Sequence, residues 1–293
     1  MNICTDCIFC VIGKQKKVIE EHKDSPDCER FLRDMLDFLS REKAFSHTTG
    51  WLSKKLEEIY EGYFGVQEDF PAIKHKYNQL LMKQQDQFRQ KISKSEDKLR
   101  TCINYACAGN YIDFGALDSV SDEKLGELIE REAPVDEREL ERFRKDLAGA
   151  KTLVYVTDNC GEVVMDKLFM ETIRSLYPKL KITALVRGEL TGNDATLEDA
   201  EEIGLTEVAE CVGNGANVYG TDLSVVSSEA KELLYHADVI IAKGQANFET
   251  LHREKNINPY YLFICKCQHF MEYFNVPLFS NIFVREDELK DRD

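Results

Sequence analysis

The sequence predicts an α/β protein in which a Rossmann-like, mostly parallel sheet with covering helices follows an N-terminal all-helical domain. From about residue 25 to residue 149 the apolar residues recur at helical spacing. After residue 150 short β-branched runs alternate with helical patterns, which is the order expected of a covered parallel sheet. Because the period changes at Gly149, the predicted domains are residues 1–149 and residues 150–293.

Helical segments in the first half are predicted over residues 31–39, 52–63, 70–108, from 121 onward and over 136–147. The segment 70–108 is long enough for one helix or for two consecutive helices that restart near Ser95. Ser121 and the acidic residues after it form a capped helix start. The helix over residues 136–147 is predicted to end at Gly149.

Strands in the second half are predicted over residues 153–157, 182–186, 207–212, 239–242 and 261–265. Each run is short and rich in β-branched or aromatic residues, which favours buried strands over helices. The final residues, 285–293, are strongly charged and are expected to be exposed.

The net charge of −15 argues against two classes of partner. Nucleic acid and anionic membranes need a basic surface, so neither is expected to bind. No window approaches the roughly 20 apolar residues of a membrane span, and the first residues lack the pattern of a signal peptide. A cytoplasmic protein is therefore expected. Ten cysteines without a secretion signal fit reduced thiols or a metal site better than disulfides.

Polar residues of a restricted kind follow four of the predicted strands: Asp158 and Asn159, Asn193 and Asp194, Lys243 to Asn247, and Lys266. In a parallel sheet these strand ends meet at one edge, where open α/β proteins bind their ligands. The carboxylates of Asp158 and Asp194 and the amide of Asn159 are hard ligands suited to a magnesium-like or manganese-like ion. Lysines and an amide opposite such an ion are suited to a phosphate group, whose charge they neutralise.

Each of these residues also has a structural interpretation. Asp158 and Asn159 are of the types that cap a following helix, and Asp194 would cap the helix that contains Leu197. Lys243 would be the solvated lysine of a strand-end turn. The joint occurrence of such residues at four strand ends favours the ligand-binding interpretation.

Five short motifs occur in order along the chain: Gly109-Asn-Tyr-Ile-Asp-Phe-Gly115, Asp158-Asn-Cys-Gly-Glu, Asn193-Asp-Ala-Thr, Lys243-Gly-Gln-Ala-Asn and Lys266-Cys267. In order and spacing, over most of the chain, they resemble the domain-of-unknown-function 89 family, the metal-dependent damage-control phosphatases. The likeness is greatest to the microbial stand-alone branch, which also has an N-terminal Cys-x-x-Cys like Cys7 to Cys10.

The resemblance implies roles for individual residues. Asp158, Asn159 and Asp194 would be the metal ligands, and the two aspartates would carry the catalysis. The residues on the substrate and phosphate side would be Lys266, Asn247, Gly244, Lys243 and Asn110. Of these, Gly244 would let its loop approach. The segment 109–115 would bring the helical domain, as a cap, over a metal- and phosphate-binding α/β domain.

The activity implied is hydrolysis of phosphate monoesters of small metabolites, including sugar phosphates and phosphopantetheine-like compounds, with manganese, cobalt, nickel or magnesium. A water on the ion would attack the phosphorus in line. A rival mechanism makes Asp158 a nucleophile that forms an aspartyl-phosphate. It ranks lower because no second carboxylate stands two residues after Asp158. The leaving alcohol would take its proton from Asp194, Glu162 or a water.

Cys4, Cys7 and Cys10 have the spacing of a zinc or iron–sulfur site, but a fourth ligand does not follow at close range. Cys28, Cys265 or Cys267 would have to supply it through the fold. The alternative is that these cysteines are small buried residues that open a helix. None of the six histidines shows paired ligand spacing, so none is assigned.

Two further classes of function remain open at this point. A methyltransferase that uses S-adenosylmethionine would have the same sheet, but only one glycine follows the first strand, in Asp158-Asn-Cys-Gly. A non-catalytic metal-binding or redox-sensing protein would be built around Cys4, Cys7 and Cys10. Dependence on a divalent ion separates the phosphatase from the methyltransferase, and a substitution of Asp158 separates it from the cysteine-based protein.

Overall fold

A mostly parallel sheet forms the centre of the second half of the chain. The computed structural model describes residues 3–41, 45–66, 68–113 and 121–289. In this part of the chain the strands are β1 (Thr152–Val156), β2 (Lys181–Val186), β3 (Glu210–Gly213), β4 (Val239–Lys243), β5 (Tyr260–Ile264) and β6 (Asn281–Arg285). Their order is β3-β2-β1-β4-β5-β6, with β6 antiparallel to β5 and every other pair parallel. The predicted α/β fold is confirmed.

The strand order changes direction between β1 and β4. In open α/β sheets the ligand crevice lies at such a point, outside the carboxyl ends of the strands. The strand predictions are confirmed for β1, β2, β4 and β5, each within one residue at either end. β3 begins later than predicted because Leu205–Glu207 form a 3₁₀ turn, and β6 was not predicted.

Eight helices precede the sheet in the described part of the chain: α1 (Thr5–Glu21), α2 (Cys28–Leu39), α3 (Thr49–Phe64), α4 (Phe70–Met82), α5 (Gln85–Lys94), α6 (Lys98–Gly109), α7 (Asp122–Glu130) and α8 (Glu137–Gly149). The others connect or follow strands: α9 (Glu162–Leu176), α10 (Leu197–Glu202), α11 (Ser228–His236), α12 (Gly244–Leu251) and α13 (Gln268–Phe274). No helix of the described residues is long and apolar enough to cross a membrane.

The stretch 70–108 contains three helices rather than one or two. The predicted restart near Ser95 is present, because Asp97 caps α6 by accepting a hydrogen bond from the backbone N–H of Arg100 at 3.2 Å. A second break occurs at Lys83 and Gln84, where the sequence has no glycine or proline. The predicted caps at Ser121 and Asp136 are both present and begin α7 and α8.

The buried side chains form three apolar clusters. Helices α4 to α9 pack together with one face of the sheet, and Phe143 of α8 lies edge-on to Tyr260 of β5 with ring centroids 5.0 Å apart. Helices α11, α12 and α13 cover the other face. Helices α1, α2 and α3 have a small core of their own around Phe31 and Leu52. The first cluster continues across Gly149, and the division into domains at that residue stays a prediction.

The expectation of an exposed charged tail is wrong for Glu286 and Leu289, whereas Glu288 is exposed. Arg285 ends β6, and Glu286 begins a 3₁₀ turn in which Glu286 and Leu289 are buried. Glu286 accepts hydrogen bonds from the hydroxyl of Tyr261 at 2.8 Å and from the backbone N–H of Arg253 at 3.0 Å. Pairing of β6 with β5 brings the charged segment against these donors. Residues 290–293 lie outside the described residues.

Candidate active site

A cavity of about 520 Å³ lies at the carboxyl ends of the strands. It is lined by Asp158, Asn159, Asn193 and Asp194 from the loops after β1 and β2, by Asp113 after α6, and by residues of α1 and α3. The fold therefore brings the three predicted metal ligands, Asp158, Asn159 and Asp194, to one cavity. The fold brings them together because β1 and β2 are adjacent and parallel.

The loop after β1 positions Asp158 and Asn159. The backbone of Asn159 pairs with that of Asp194, and the backbone N–H of Ala195 donates to the carbonyl of Asp158 at 2.7 Å. The Asp158 side chain is 4% exposed, and its Oδ2 accepts hydrogen bonds from Asn159 at 2.7 Å and from Asn110 at 3.0 Å. Both donors hold the carboxylate in one orientation beside the cavity.

The interpretation of these residues as helix caps is wrong. Gly161 occupies the N-cap of α9, so neither Asp158 nor Asn159 does so. Thr196, not Asp194, caps α10 and forms a capping box with Asp199. The polar groups at the ends of β1 and β2 are therefore available for another purpose.

Asp194 is paired with Arg187, a buried residue to which the sequence motifs assign no role. Arg187 Nε and Nη2 each lie 2.7 Å from Oδ2 of Asp194, and both side chains are almost fully buried. Burial raises the pKa of Asp194 to about 6, and Arg187 opposes that rise. Arg187 follows β2 directly, so the search for polar residues after strand ends that points to Asp158 also points to Arg187.

Burial raises the pKa of Asp158 well above its ordinary value, and the nearby charges of Glu162 and Asp194 raise it further. The positive charge of Lys266 acts in the opposite direction. Asp113 also raises the pKa of both Asp158 and Asp194, and it lines the same cavity. Carboxylates crowded in this way are stabilised by a cation among them.

Gly244 shows how closely the next strand end approaches. Its φ is +78°, a conformation that favours glycine, and a Cβ at this position would lie 1.9 Å from Oδ2 of Asp158. The expectation that a glycine here permits a close approach therefore has a geometric basis. The close neighbour is the Asp158 carboxylate.

Lys243 lies beneath the cavity instead of facing it. Its side chain is fully buried, with Nζ in an ion pair with Glu162, 3.0 Å from Asp166 and 2.9 Å from the carbonyl of Ala106. The interpretation as a solvated turn lysine is wrong. Lys243 is therefore not among the residues that line the cavity, and the predicted contact with a phosphate is not present.

Lys266 and Asn110 connect the two halves of the chain. Lys266 Nζ donates to the Asn110 carbonyl at 2.7 Å and lies 2.5 Å from Oδ2 of Asp113. The Asn110 amide donates to Glu162 at 2.8 Å as well as to Asp158. Of the motif 109–115, residues 114 and 115 lie outside the described residues.

Asn247 connects the ends of β1 and β4. Its Nδ2 donates to the carbonyls of Thr157 at 3.0 Å and Lys243 at 2.6 Å, and its Oδ1 accepts from the hydroxyl of Thr221 at 2.7 Å. The side chain is fully buried. In this geometry its amide holds the loop beside Asp158 and faces backbone rather than the cavity.

The cysteine cluster has a different composition from the one expected. Cys4 and Cys7 lie beside His269 of α13, with the potential ligand atoms of all three within 4.8 Å of one another. Cys10 is exposed and outside this group. No spacing in the sequence points to His269, since it stands 265 residues from Cys4.

An open α/β fold with a carboxylate-rich site at its topological switch point defines a class of ligand-binding and catalytic proteins. Within that class the chain belongs to the damage-control phosphatase ARMT1-like family, also called the DUF89 family, because the model of this domain matches residues 3–282. The resemblance noted in the motifs is confirmed.

Relatives match along nearly the whole chain. A damage-control phosphatase of Pyrococcus horikoshii is 28% identical over 94% of this chain and 96% of its own length. A damage-control phosphatase of Archaeoglobus fulgidus is 28% identical over 92% of this chain and 93% of its own. An uncharacterized protein of Methanocaldococcus jannaschii is 29% identical over 97% and 96%.

A crystal structure of a DUF89 family protein from Pyrococcus horikoshii has the same fold. It superposes with a TM-score of 0.79 at 24% identity, covering 98% of this chain and 99% of the other. The family and its named members support a phosphatase role for the chain.

Proposed function

We propose that the chain is a divalent-metal-dependent phosphatase that hydrolyses phosphate monoesters of small metabolites, such as sugar phosphates or phosphopantetheine-like compounds. The observation that supports this most strongly is the burial of Asp158 and Asp194 on one cavity wall, with the Asn159 side chain beside Asp158. Membership of a phosphatase family gives this geometry its reaction class.

Asp158, Asn159 and Asp194 would hold the ion. Both amide hydrogen bonds to Asp158 are made to Oδ2, so we assign Oδ1 to the ion. Oδ1 of Asn159 accepts one hydrogen bond, from Asn193 at 3.0 Å, which leaves a second lone pair. Oxygen ligands of this kind suit manganese, magnesium, cobalt or nickel. When bound, the ion supplies polarisation of a phosphate oxygen and a water of lowered pKa for in-line attack.

The protein groups around these ligands set their orientation and charge. Asn110 and Asn159 fix Asp158, while Arg187 fixes Asp194 and favours its ionised form. We assign Lys266 to the charge of the phosphate, because its ammonium group already acts on Asp158 and pairs with Asp113 at the cavity. Asn247 and Gly244 would shape the loop beside Asp158.

Glu162 is assigned a positioning role rather than that of the acid for the leaving alcohol. Its Oε1 is paired with Lys243, and its Oε2 accepts from the amides of Asn110 at 2.8 Å and Asn159 at 3.0 Å. Asp194 or a water is left to give the proton. Neither the family nor the site supports the methyltransferase alternative, since the named relatives are phosphatases.

The test is phosphate release from a panel of sugar phosphates, phosphopantetheine and a chromogenic phosphate ester. The protein is first treated with a chelator, and manganese, cobalt, nickel or magnesium is then added back. Turnover that returns with a metal would support the proposal and rank the substrates. Absence of turnover with every ion and every ester would contradict it.

A further inference from the structure

Two thiols at the start of α1 meet an imidazole from the far end of the chain. Cys4 is the N-cap of α1 and Cys7 lies in its first turn, with the two Sγ atoms 3.1 Å apart. His269 lies in the first turn of α13, and its Nδ1 is 3.8 Å from Sγ of Cys4. Both cysteines are free thiols. The three groups come from two helices that are distant in sequence, so their proximity depends on the tertiary fold.

Ordinary hydrogen bonds do not account for the position of His269 beside the two thiols. Nε2 of His269 is buried and has no hydrogen-bond partner among the described residues. Its Nδ1 faces sulfur, which is a weak hydrogen-bond acceptor. A buried imidazole nitrogen usually has a hydrogen-bond partner, so Nε2 of this half-buried side chain is an exception.

We propose that Cys4, Cys7 and His269 bind a zinc-like divalent metal ion. Two sulfurs and one imidazole nitrogen are the ligands that zinc prefers in tetrahedral sites. Ligand atoms in such a site stand roughly 3.5 to 3.8 Å apart, given Zn–S and Zn–N distances of about 2.3 and 2.0 Å. The Cys4–His269 separation of 3.8 Å already fits, and the two sulfurs at 3.1 Å need to part by about 0.7 Å.

The remaining coordination position has candidates close by. Cys10 and Cys267 line the cavity together with Cys7 and His269. Water from the cavity is the third candidate. The three assigned ligands are independent of which of these completes the shell.

This ion would be distinct from the one proposed at Asp158. Thiolates select soft or borderline metals, whereas the carboxylate and amide oxygens of Asp158, Asn159 and Asp194 suit hard ions. Both sets of residues border the same cavity, since Cys7 and His269 line it with Asp158 and Asp194. The inference does not depend on the proposed phosphatase activity.

A metal ion at this site would link two separate apolar cores. Val11 of α1 belongs to the core of α1 to α3, while Phe270 of α13 belongs to the core on one face of the sheet. An ion held by Cys4, Cys7 and His269 would bind α1 to α13 and so fix one wall of the cavity. Removal of the ion should loosen α1 without unfolding the sheet.

The test uses Co²⁺ as a spectroscopic probe on the reduced full-length chain after chelation. Thiolate ligands give Co²⁺ intense charge-transfer bands in the near ultraviolet, and oxygen ligands do not. We expect the bands to be abolished in Cys7→Ser and to need at least about tenfold more Co²⁺ in His269→Gln. In Asp158→Ala, which lacks the oxygen site, they should saturate at about one equivalent.

The controls separate this site from the other. Cys28→Ser, a half-buried thiol of α2 outside the group, should keep the bands, and so should Asp158→Ala. Circular dichroism confirms that each variant is folded. Bands that are absent from the wild-type chain, or unchanged in both Cys7→Ser and His269→Gln, would overturn the proposal.

A second readout follows the structure of α1. We expect zinc to slow amide hydrogen exchange in residues 5–21 by at least about tenfold in the wild-type chain and to leave α9 unchanged. Cys7→Ser should lose this protection. Equal exchange in α1 with and without zinc would overturn the claim that the ion fastens α1 to α13.

Discussion

Asn110, the residue after α6, donates a hydrogen bond of 3.0 Å to Oδ2 of Asp158, the residue that follows β1 by two positions. The same amide donates to Glu162, and its oxygen accepts from the backbone N–H of Ile264 at 3.2 Å. One buried side chain from the helical half thus sets the position of the carboxylate at the centre of the proposed site. Asn110 of the helical half is therefore part of the framework of the proposed site.

Gly244→Ala should abolish metal-dependent turnover while the chain remains folded. A Cβ would lie 1.9 Å from Oδ2 of Asp158, and φ of +78° strains any other residue. Asp158 would have to move, and we expect affinity for the ion to fall by at least about 100-fold. Titration calorimetry with manganese measures this.

The control for that variant is Gly213→Ala, where the nearest atom to a Cβ would be 3.5 Å away. It should bind manganese as the wild type does. Normal binding by Gly244→Ala would show that the position of Asp158 is not critical.

Arg187→Met should move the acidic limb of the pH–rate profile to higher pH. Burial raises the pKa of Asp194 to about 6 even with Arg187 in place, so loss of the arginine raises it further. The carboxylate must lose its proton to bind an ion, and turnover would then need a more alkaline solution. A profile of kcat/KM against pH measures the shift.

Arg174→Met serves as the comparison, since Arg174 donates only to the carbonyls of Glu207 and Val208 among the described contacts. An acidic limb at the same pH in Arg187→Met and wild type would mean that Asp194 does not titrate in the rate profile.

Lys266→Met should lower kcat/KM by about 100-fold, because the site loses the positive charge assigned to the phosphate. The substitution also leaves Asp113 without the ion pair at 2.5 Å, so the melting temperature should be recorded. Phosphate release under saturating manganese gives the rate. A loss of less than about threefold in a folded variant would remove Lys266 from the mechanism. Lys181→Met, at an exposed ion pair with Glu210, is the matched control.

Asp166→Asn should change how stability depends on pH. Burial raises the pKa of Asp166 from 3.8 to about 7, although the charge of Lys243 opposes the rise. The folded protein therefore holds this proton more tightly than the unfolded chain. Its contribution to stability is fully present below about pH 4 and is lost as the pH rises to about 7. Asparagine has no such proton, so the variant lacks this decline.

The free energy of unfolding, measured with urea from pH 4 to pH 8, is compared between the wild type and Asp166→Asn. Asp238→Asn is a control of opposite sign. Backbone N–H groups of Lys151 and Thr152 lower the pKa of Asp238, whose contribution to stability is lost as the pH falls. Parallel stability curves for wild type and Asp166→Asn would contradict the assignment.

The sequence was sufficient for features that depend on neighbouring residues. The strands before Asp158 and Asp194 were found from short β-branched runs, and helix starts at Ser121 and Asp136 from their caps. Since parallel strands align their carboxyl ends, the positions of these strands also predict that the two aspartates lie close together. β6 is not predicted from the sequence because its five residues stand next to a charged tail and pair in the antiparallel direction.

Features that depend on side-chain direction or on distant partners were not predictable in the same way. Lys243 ends a strand, but its side chain enters the face covered by α9, where Glu162 and Asp166, four residues apart on that helix, neutralise it. A pattern of strand ends does not say to which face the last residue points. His269 meets Cys4 only through the complete fold.

The most direct test of the central claim compares wild type with Asp158→Asn in manganese binding and in phosphate release from the preferred ester. Asparagine keeps the size of Asp158 and removes its charge, so the fold should persist. We predict that manganese restores turnover to the chelated wild type, that Asp158→Asn binds manganese at least about 100-fold more weakly, and that its turnover is lost. Equal manganese binding and equal turnover in the two proteins would contradict the account of this site.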